Sequence, residues 1–368
     1  MKRITGNIIL LILTSFPSFS QTHLTGKVLN EDSNQPLEGA SIYFNNTSIG
    51  TTSDAVGEFT LQLPGTINTE LIVSSIGYEI LIYKIQPADN FQNRYVFKLK
   101  TKKVTMQNIL VLSDAARKKY LGYFIDNFLG LTEEAASSSI KNLSSVYFTK
   151  PENDERAFEA YSDTALVILN KMLGYRIHFQ LTYFYYNEST GNSSFYGYTR
   201  YEDLGDKRRW KKNRKNTYYG STLHFFRSLI NDKLKEESFE IYVVADDTLK
   251  HIGSTTKTST AIPVTAAQLI KKDTNSAGYP IYIASWKNKL MVQYNKNPSS
   301  KLYLLRHVLF SNQIHTGVRS YLTLNEPQAV IDEAGVLIDP LSIFFSGYWI
   351  YEKAANLLPY NYYPETEK

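Results

Sequence analysis

The chain of 368 residues contains no cysteine. That excludes disulfides, thiolate metal sites and a lipid-modified N-terminal cysteine, so stability must come from packing alone. Histidine is scarce. His23, His178, His224, His251, His307 and His315 are scattered, and no pair stands at i, i+4 with a glutamate, the spacing of a helical zinc site. Neither a G-x-S-x-G nucleophile elbow nor a G-x-x-x-x-G-K-S/T phosphate loop occurs. The acid pairs Glu133-Glu134 and Asp246-Asp247 read as a solvated helix start and a hairpin tip rather than as catalytic dyads, although carboxylates from distant strands can still meet in a fold. After the N-terminus no apolar run approaches the ~20 residues that a transmembrane helix needs.

Charge is also sparse, except in one place. Asp206 to Lys215, DKRRWKKNRK, holds seven of the 40 basic residues and a single acid, around one tryptophan. Lys2 and Arg3 supply two more positive charges, so the remainder of a chain with formal net charge +5 is mildly acidic. The protein is thus near neutral with one dense cationic patch, and such patches attract phosphates, anionic lipid heads or acidic polymers. Lys207, Arg208, Arg209, Trp210, Lys211, Lys212, Arg214 and Lys215 are the candidate anion-contacting residues. The competing reading is a solvated helix face whose stems cover apolar neighbours and whose charges pair with Glu202, Asp203 and Asp206.

The opening MKRITGNIILLILTSFPSFSQ has two cations, an apolar run from Ile8 to Leu13 and a small-residue end at Ser18 to Ser20. That is the layout of a secretory signal over residues 1–20, with cleavage expected between Ser20 and Gln21. Export to the periplasm or the outer-membrane surface follows as the expected location. It takes the protein away from nucleic acid, which Trp210 among cations would otherwise suit. Removing the signal leaves a chain longer than one core usually covers, so two domains are expected.

From Thr22 to Lys100, seven short apolar alternations are separated by turn residues, the pattern of an antiparallel sandwich. Asp54 to Gly57 is read as a hairpin turn, with Gly57 supplying a positive φ, and Pro64-Gly65 as the next connection. Gly26, Val28, Pro36-Leu37, Ala40, Ile42, Gly50, Thr52-Ser53-Asp54, Gly57, Phe59 and Gly77-Tyr78 stand in an order that resembles the carboxypeptidase-regulatory-like domain common in secreted proteins of Bacteroides-type bacteria. The resemblance implies a seven-stranded, transthyretin-like β-sandwich over residues 21–100. It also implies an accessory module that brings no catalytic residues.

After a linker at 101–108, the pattern over 109–368 implies an α+β domain: antiparallel sheets with helices. Ser113 is a plausible N-cap of a helix that Gly130 ends, and Thr132 caps a second over EEAASSSI. The period then switches to two. In the aromatic strand GYRIHFQLTYFYY, strict alternation puts Phe179, Leu181, Tyr183 and Tyr185 on one face, Phe184 and Tyr186 on the other. PENDE and NESTGNS read as hairpin tips. Asp206 is expected to cap a helix through the basic run, ended by Gly220, and Ser221 to cap another over TLHFFRSLINDKLKEE. Further strands are expected at FEIYVVA, PIYIASW, LMVQYN and KLYLLRHVLF, then a hairpin of RSYLTLNE with AVIDEAGVLI and a last helix through GYWIYEKAANL. MLGYRIHFQL, the stretch from Arg208 to Glu240, and GYWIYEKAANLLPYNY are similar to segments of a family of secreted proteins, of no established activity, that pair this sandwich with an α+β domain.

These features imply an exported, non-enzymatic envelope protein without cofactor or metal, a scaffold or binding component. Its patch would contact anionic lipid, acidic glycan or an outer-membrane protein partner. Two alternatives stay open. The 28 tyrosines, clustered at Tyr183 to Tyr186 and Tyr196 to Tyr201, form either a stacking platform for sugar rings or core and edge-strand filling. A hydrolase whose site forms only in the fold is the other.

Overall fold

The structure is a computed structural model that describes residues 23–365, except 64–68, 86–88, 90–92, 103–109, 153, 252–253, 277, 297–301 and 303–316, and without the side chains of 245–251 and 254–259. The signal segment, the Pro64-Gly65 connection, most of the linker and the KLYLLRHVLF strand lie outside the described residues.

Seven strands build the first domain: β1 (His23–Asn30), β2 (Ser41–Phe44), β3 (Gly50–Thr52), β4 (Glu58–Gln62), β5 (Leu71–Ser74), β6 (Leu81–Tyr83) and β7 (Tyr95–Leu99). They form two sheets in the orders β4-β1-β7 and β3-β2-β5-β6. Alternate residues of the strands face inward, and Leu24, Val28, Ile42, Phe44, Phe59, Leu61, Val73 and Phe97 close a core between the sheets. The turn between β3 and β4 has the expected local geometry: Gly57 has φ +76, its N–H donates to the Asp54 carbonyl, and the Asp54 carboxylate accepts from Val56 N and Glu58 N. It is not the expected hairpin, because β3 and β4 belong to different sheets and the turn carries the chain from one to the other. Another expectation fails, because β1 and β7 pair in parallel. Five strands separate β1 from β7 in the chain, so no hairpin joins the two and imposes an antiparallel pairing.

The strands β2 and β5 are buried on both faces. Their second face explains why. Tyr43 and Ile72 point away from the sandwich core and pack on Tyr198 of the following domain. Beside them the corner at Asn45 to Ser48 is stitched to that domain by backbone bonds: Asn46 N donates to Thr199 O at 2.7 Å, Tyr201 N to Thr47 O at 2.9 Å, and Tyr360 N to Asn46 O at 2.7 Å.

The second domain starts with α1 (Asp114–Phe128), capped by Ser113, and α2 (Glu133–Ala136), capped by Thr132. A six-stranded sheet follows: β8 (Ser138–Ile140), β9 (Val146–Thr149), β10 (Ala157–Ser162), β11 (Leu166–Asn170), β12 (Tyr175–Asn187) and β13 (Ser193–Asp203). The helix expected over EEAASSSI therefore stops after one turn, where Ser138 to Ile140 pair with β11 instead. Phe124 and Phe128 of α1 pack onto Phe158, Phe179 and Phe184 of this sheet. The alternation expected along β12 breaks at Thr182. There the register to β13 shifts between Leu181 and Tyr183, one extra residue is accommodated, and the faces exchange. Phe179, Leu181, Phe184 and Tyr186 all face the core, while Tyr183 and Tyr185 are only half-buried.

Two helices, α3 (Arg208–Tyr218) and α4 (Thr222–Ile230), lead to the last part of the fold. Its elements are β14 (Phe239–His251), β15 (Ser254–Pro263), α5 (Ala266–Leu269), β16 (Ile270–Thr274), β17 (Pro280–Ala284), β18 (Lys289–Tyr294), β19 (Val318–Leu324), β20 (Ala329–Asp332) and β21 (Ile343–Gly347). The sheet orders are β15-β14-β18-β19-β21 and β16-β17-β20. Asp246 and Asp247 thus stand within β14 and not at a hairpin tip, and β20 pairs with β17 rather than forming a hairpin with β19. Phe225, Phe226 and Leu229 of α4 join Phe239, Leu290, Leu322 and Trp349 in a core of their own.

α4 is shorter than its apolar stripe suggests. Asp232 takes φ +54 and Lys233 N donates back to Ser228 O, a left-handed helix stop with aspartate where glycine is usual. The helix expected through GYWIYEKAANL reduces to a 3-10 turn at Tyr348–Ile350. Ala354 N and Ala355 N donate to Phe128 O and Leu129 O at the end of α1, so tertiary bonds replace the intrahelical ones.

Candidate functional site

The cationic run forms α3, but its cap is not the expected one. Lys207 occupies the N-cap without a side-chain hydrogen bond, and Asp206 lies exposed before it. What positions the helix is the β11–β12 turn. Trp210 Nε1 donates to Lys171 O at 3.0 Å, Asn213 Nδ2 to Met172 O at 2.8 Å, Arg214 Nε to Leu173 O at 2.7 Å, and Arg214 Nη2 to Gly174 O at 3.0 Å. Four successive carbonyls of one turn are satisfied by Trp210 and, one helical turn further on, by Asn213 and Arg214. Gly174, at φ +70, is the residue over which the indole lies, and a Cβ there would overlap the ring.

Two of the candidate contacts therefore face inward. Trp210 and Arg214 are each 6% exposed. The guanidinium of Arg214 also grips Asp203 with both prongs and lies 3.9 Å from the centroid of the Tyr175 ring. Asp203 responds: partial burial raises its pKa, but the Arg214 hydrogen bonds, the Gly205 N–H and the Arg214 charge together hold it below the usual value. These two residues are anchors, since their polar atoms are already spent on protein partners. The others point outward. Lys207, Arg208, Arg209, Lys211 and Lys212 are exposed and Lys215 is half-buried. Lys207 Nζ sits 4.5 Å from the Trp210 ring centroid, and Lys211 reaches Glu365 at 3.1 Å, an exposed pair of little energetic weight. The pairings expected with Glu202 and Asp206 do not form; Glu202 binds Arg176 at 2.7 Å instead.

Beside α3 lies a depression of about 470 Å³, lined by Arg209, Asn213, Lys171 and Ser137 to Ser139. Ser139 Oγ is buried and has no hydrogen-bond partner among the described residues. Two cations, a set of hydroxyls and an unspent hydroxyl form a polar environment that suits a phosphate or carboxylate oxygen.

Behind the helix is a group that sequence reasoning misplaced. Glu134, expected to be solvated, is 2% exposed, and its two oxygens accept from Thr217 Oγ1 at 2.9 Å and Asn356 Nδ2 at 3.0 Å. Thr132 Oγ1 donates to Asn356 Oδ1, which closes the network. Burial around the Glu352 carboxyl, with the Glu134 charge adding to it, pushes Glu352 up to about 8, and burial pushes Lys353 down to about 8. Glu352 borders a cavity of about 170 Å³, but Glu134 does not line it. A two-carboxylate hydrolytic site would need both groups to face one space. His224 is likewise structural: Gly220 N donates to its Nδ1, its Nε2 lies 3.0 Å from Glu237, and burial lowers its pKa. No group of three or more His, Asp or Glu among the described residues could hold a metal ion, and no helix among them is long and apolar enough to cross a membrane.

The N-terminal part is a two-sheet sandwich with the Asp54–Gly57 turn between its sheets. Residues 24–111 match the CarboxypepD_reg-like domain. No curated protein matches the chain. Among solved structures, one from Bacteroides fragilis NCTC 9343, described as a membrane-associated protein of unknown function, aligns over 75% of this chain and 90% of its own at 7% identity, with a TM-score of 0.18. A score that low bears on neither fold nor role. The CarboxypepD_reg-like domain contributes one wall of a cleft of about 810 Å³ whose other wall is the outer face of the six-stranded sheet. Sequence reading did not single out Tyr147 and Tyr161, which line it. The signal was there in VYFT and AFEAYS, where each tyrosine alternates with a core residue.

Proposed function

We propose that the protein is an exported, non-enzymatic envelope component that binds anionic surfaces, lipid phosphates first, through the outer face of α3. The observation that carries this reading is the division of labour within one helix. Trp210 and Arg214 lock it to the β11–β12 turn, so Lys207, Arg208, Arg209, Lys211 and Lys212 are held outward as a fixed array rather than as a floppy tail. Each such cation near an anionic membrane contributes on the order of 1 kcal/mol. The depression at Arg209, Lys171 and Ser139 gives one headgroup a defined place. The saturation of both Glu134 oxygens by Thr217 and Asn356 supports the non-enzymatic part of the reading.

The test is co-sedimentation with vesicles containing phosphatidylglycerol against vesicles of phosphatidylcholine alone. Binding to the first is expected to fall steeply as the screening length shrinks from ~10 Å at about 0.1 M salt to ~3 Å at about 1 M. Changing Lys207, Arg208, Arg209, Lys211 and Lys212 to Gln is expected to abolish it with nearly unchanged thermal stability. Equal binding to both vesicle types, or full binding by the five-glutamine variant, would remove the reading.

A further inference from the structure

We infer that the cleft between the sandwich and the six-stranded sheet is a binding site for a neutral oligosaccharide. Its volume of about 810 Å³ falls within the ~300–1,000 Å³ of small-molecule sites, and it lies where such sites are common, between two domains. Its two walls cannot drift apart freely, because the Asn45 to Ser48 corner is hydrogen-bonded to Thr199, Tyr201 and Tyr360.

The chemistry of the lining selects the ligand. On the sheet wall Tyr147 and Tyr161 are cross-strand neighbours, their rings stacked with centroids 5.8 Å apart at 22°. Their hydroxyls are engaged, Tyr161 donating to Glu159 at 2.9 Å and Tyr147 reaching Asp163 at 3.4 Å. The rings are what they have left to offer. A sugar ring has an apolar C–H face that packs on such aromatics and a rim of hydroxyls that both donate and accept. For the rim, Gln180 and Thr182 line the same cleft, and among the described residues neither side chain has a hydrogen-bond partner. Thr182 lies on the outward face of β12, in phase with Gln180, and is exposed at the point where the register to β13 shifts.

Charge argues against an anionic ligand. Among the described residues the lining holds one lysine, Lys102, paired with Asp163 at 3.0 Å, Glu79 adds a negative charge, and burial together with the nearby Arg200 charge lowers the His178 pKa and so disfavours its cationic form. Apolar contact on the sandwich side comes from Ile76, which is 77% exposed.

The experiment titrates gluco-, manno-, xylo- and galacto-oligosaccharides into the whole protein by calorimetry, at low and at high salt. At least one series is expected to bind with an affinity that salt leaves unchanged. Tyr147→Ala is expected to weaken it about tenfold or more. Thr182→Trp, a change at an exposed position that fills the cleft without touching a core, guards against a Tyr147→Ala variant that fails to fold, and is expected to abolish binding. The five-glutamine variant of α3 is expected to bind as the parent does, so loss of vesicle binding and loss of sugar binding are separable. The inference is overturned if none of the four series binds at millimolar concentration, if binding survives both cleft changes, or if the α3 variant loses it.

Discussion

Arg214 and Asp203 form a two-pronged ion pair, Nη1 to Oδ2 at 2.9 Å and Nη2 to Oδ1 at 2.7 Å, in which the cation is buried and the acid is half exposed. The same guanidinium satisfies Leu173 O and Gly174 O, so one planar group joins α3 to the β11–β12 turn and to the end of β13. Replacing it by alanine leaves two carbonyls without their donor while the half-exposed carboxylate turns to water, and Arg214→Ala is expected to cost about 1–3 kcal/mol in urea unfolding. Arg214→Lys is not expected to rescue, since an ammonium cannot present a planar fork to these acceptors. A lysine variant that unfolds like the parent would show that charge alone suffices.

Gly174 bears the other half of that attachment. Its φ of +70 is costly for any side chain, and a Cβ would enter the Trp210 indole. Gly174→Ala is expected to lower stability by more than the ~1 kcal/mol of backbone strain alone, with the indole displaced. Near-ultraviolet circular dichroism reads the tryptophan environment. An unchanged spectrum with unchanged stability would mean that α3 tolerates a shift of the turn.

Much of the fold is legible along the chain because it depends on local chemistry. Ser113, Thr132 and Ser221 cap the helices assigned to them, and Gly57 closes its turn. The failures share a cause, namely that a partner far in sequence decides the local structure. Nothing in Asp206 shows that the helix start is set by Trp210 reaching Lys171, and nothing in the spacing of β12 shows that one residue is extra at Thr182. Ala354 and Ala355 carry good helical propensity yet bond to the end of α1. The candidate patch was legible as charge. Its division into two anchors and five outward cations was not, because burial depends on the turn that α3 happens to meet.

Glu352 gives a pH dependence whose sign can be worked out. Its folded value of about 8 lies above the ordinary 4.5, so the folded state holds the proton more tightly. The stability this contributes is fully present below about 4.5 and is lost as pH rises through about 8. Lys353, pushed down to about 8 by burial, acts in a different window: its effect appears above that pH, where stability is gained as the unfolded lysine titrates. Over the range from about pH 5 to 8 the Glu352→Gln variant is therefore expected to gain on the parent, by on the order of a few kcal/mol at most. Thermal melts across that range check it. A constant difference between the two proteins would mean that Glu352 keeps an ordinary pKa.

Asn46 is the residue on which the docking of the two domains turns. It takes φ +56, a left-handed conformation that asparagine tolerates better than most side chains. From there it donates its N–H to Thr199 O, accepts from Tyr360 N, and sends Nδ2 to Tyr360 Oη at 3.1 Å. Asn46→Ala removes the side-chain bond and makes the conformation costlier, while the sandwich core, which lies on the other face of β2, is untouched. Two domains with separate cores that are held by such a corner should unfold together in the parent and separately once the corner is weakened. The expected outcome is a single calorimetric transition that splits in two, accompanied by faster hydrogen exchange at Thr199 and Tyr201 and unchanged exchange within β1 and β4. A single transition at the parent temperature would assign the docking to the packing of Tyr43 and Ile72 on Tyr198, and Tyr198→Ala would then be the change that separates the domains.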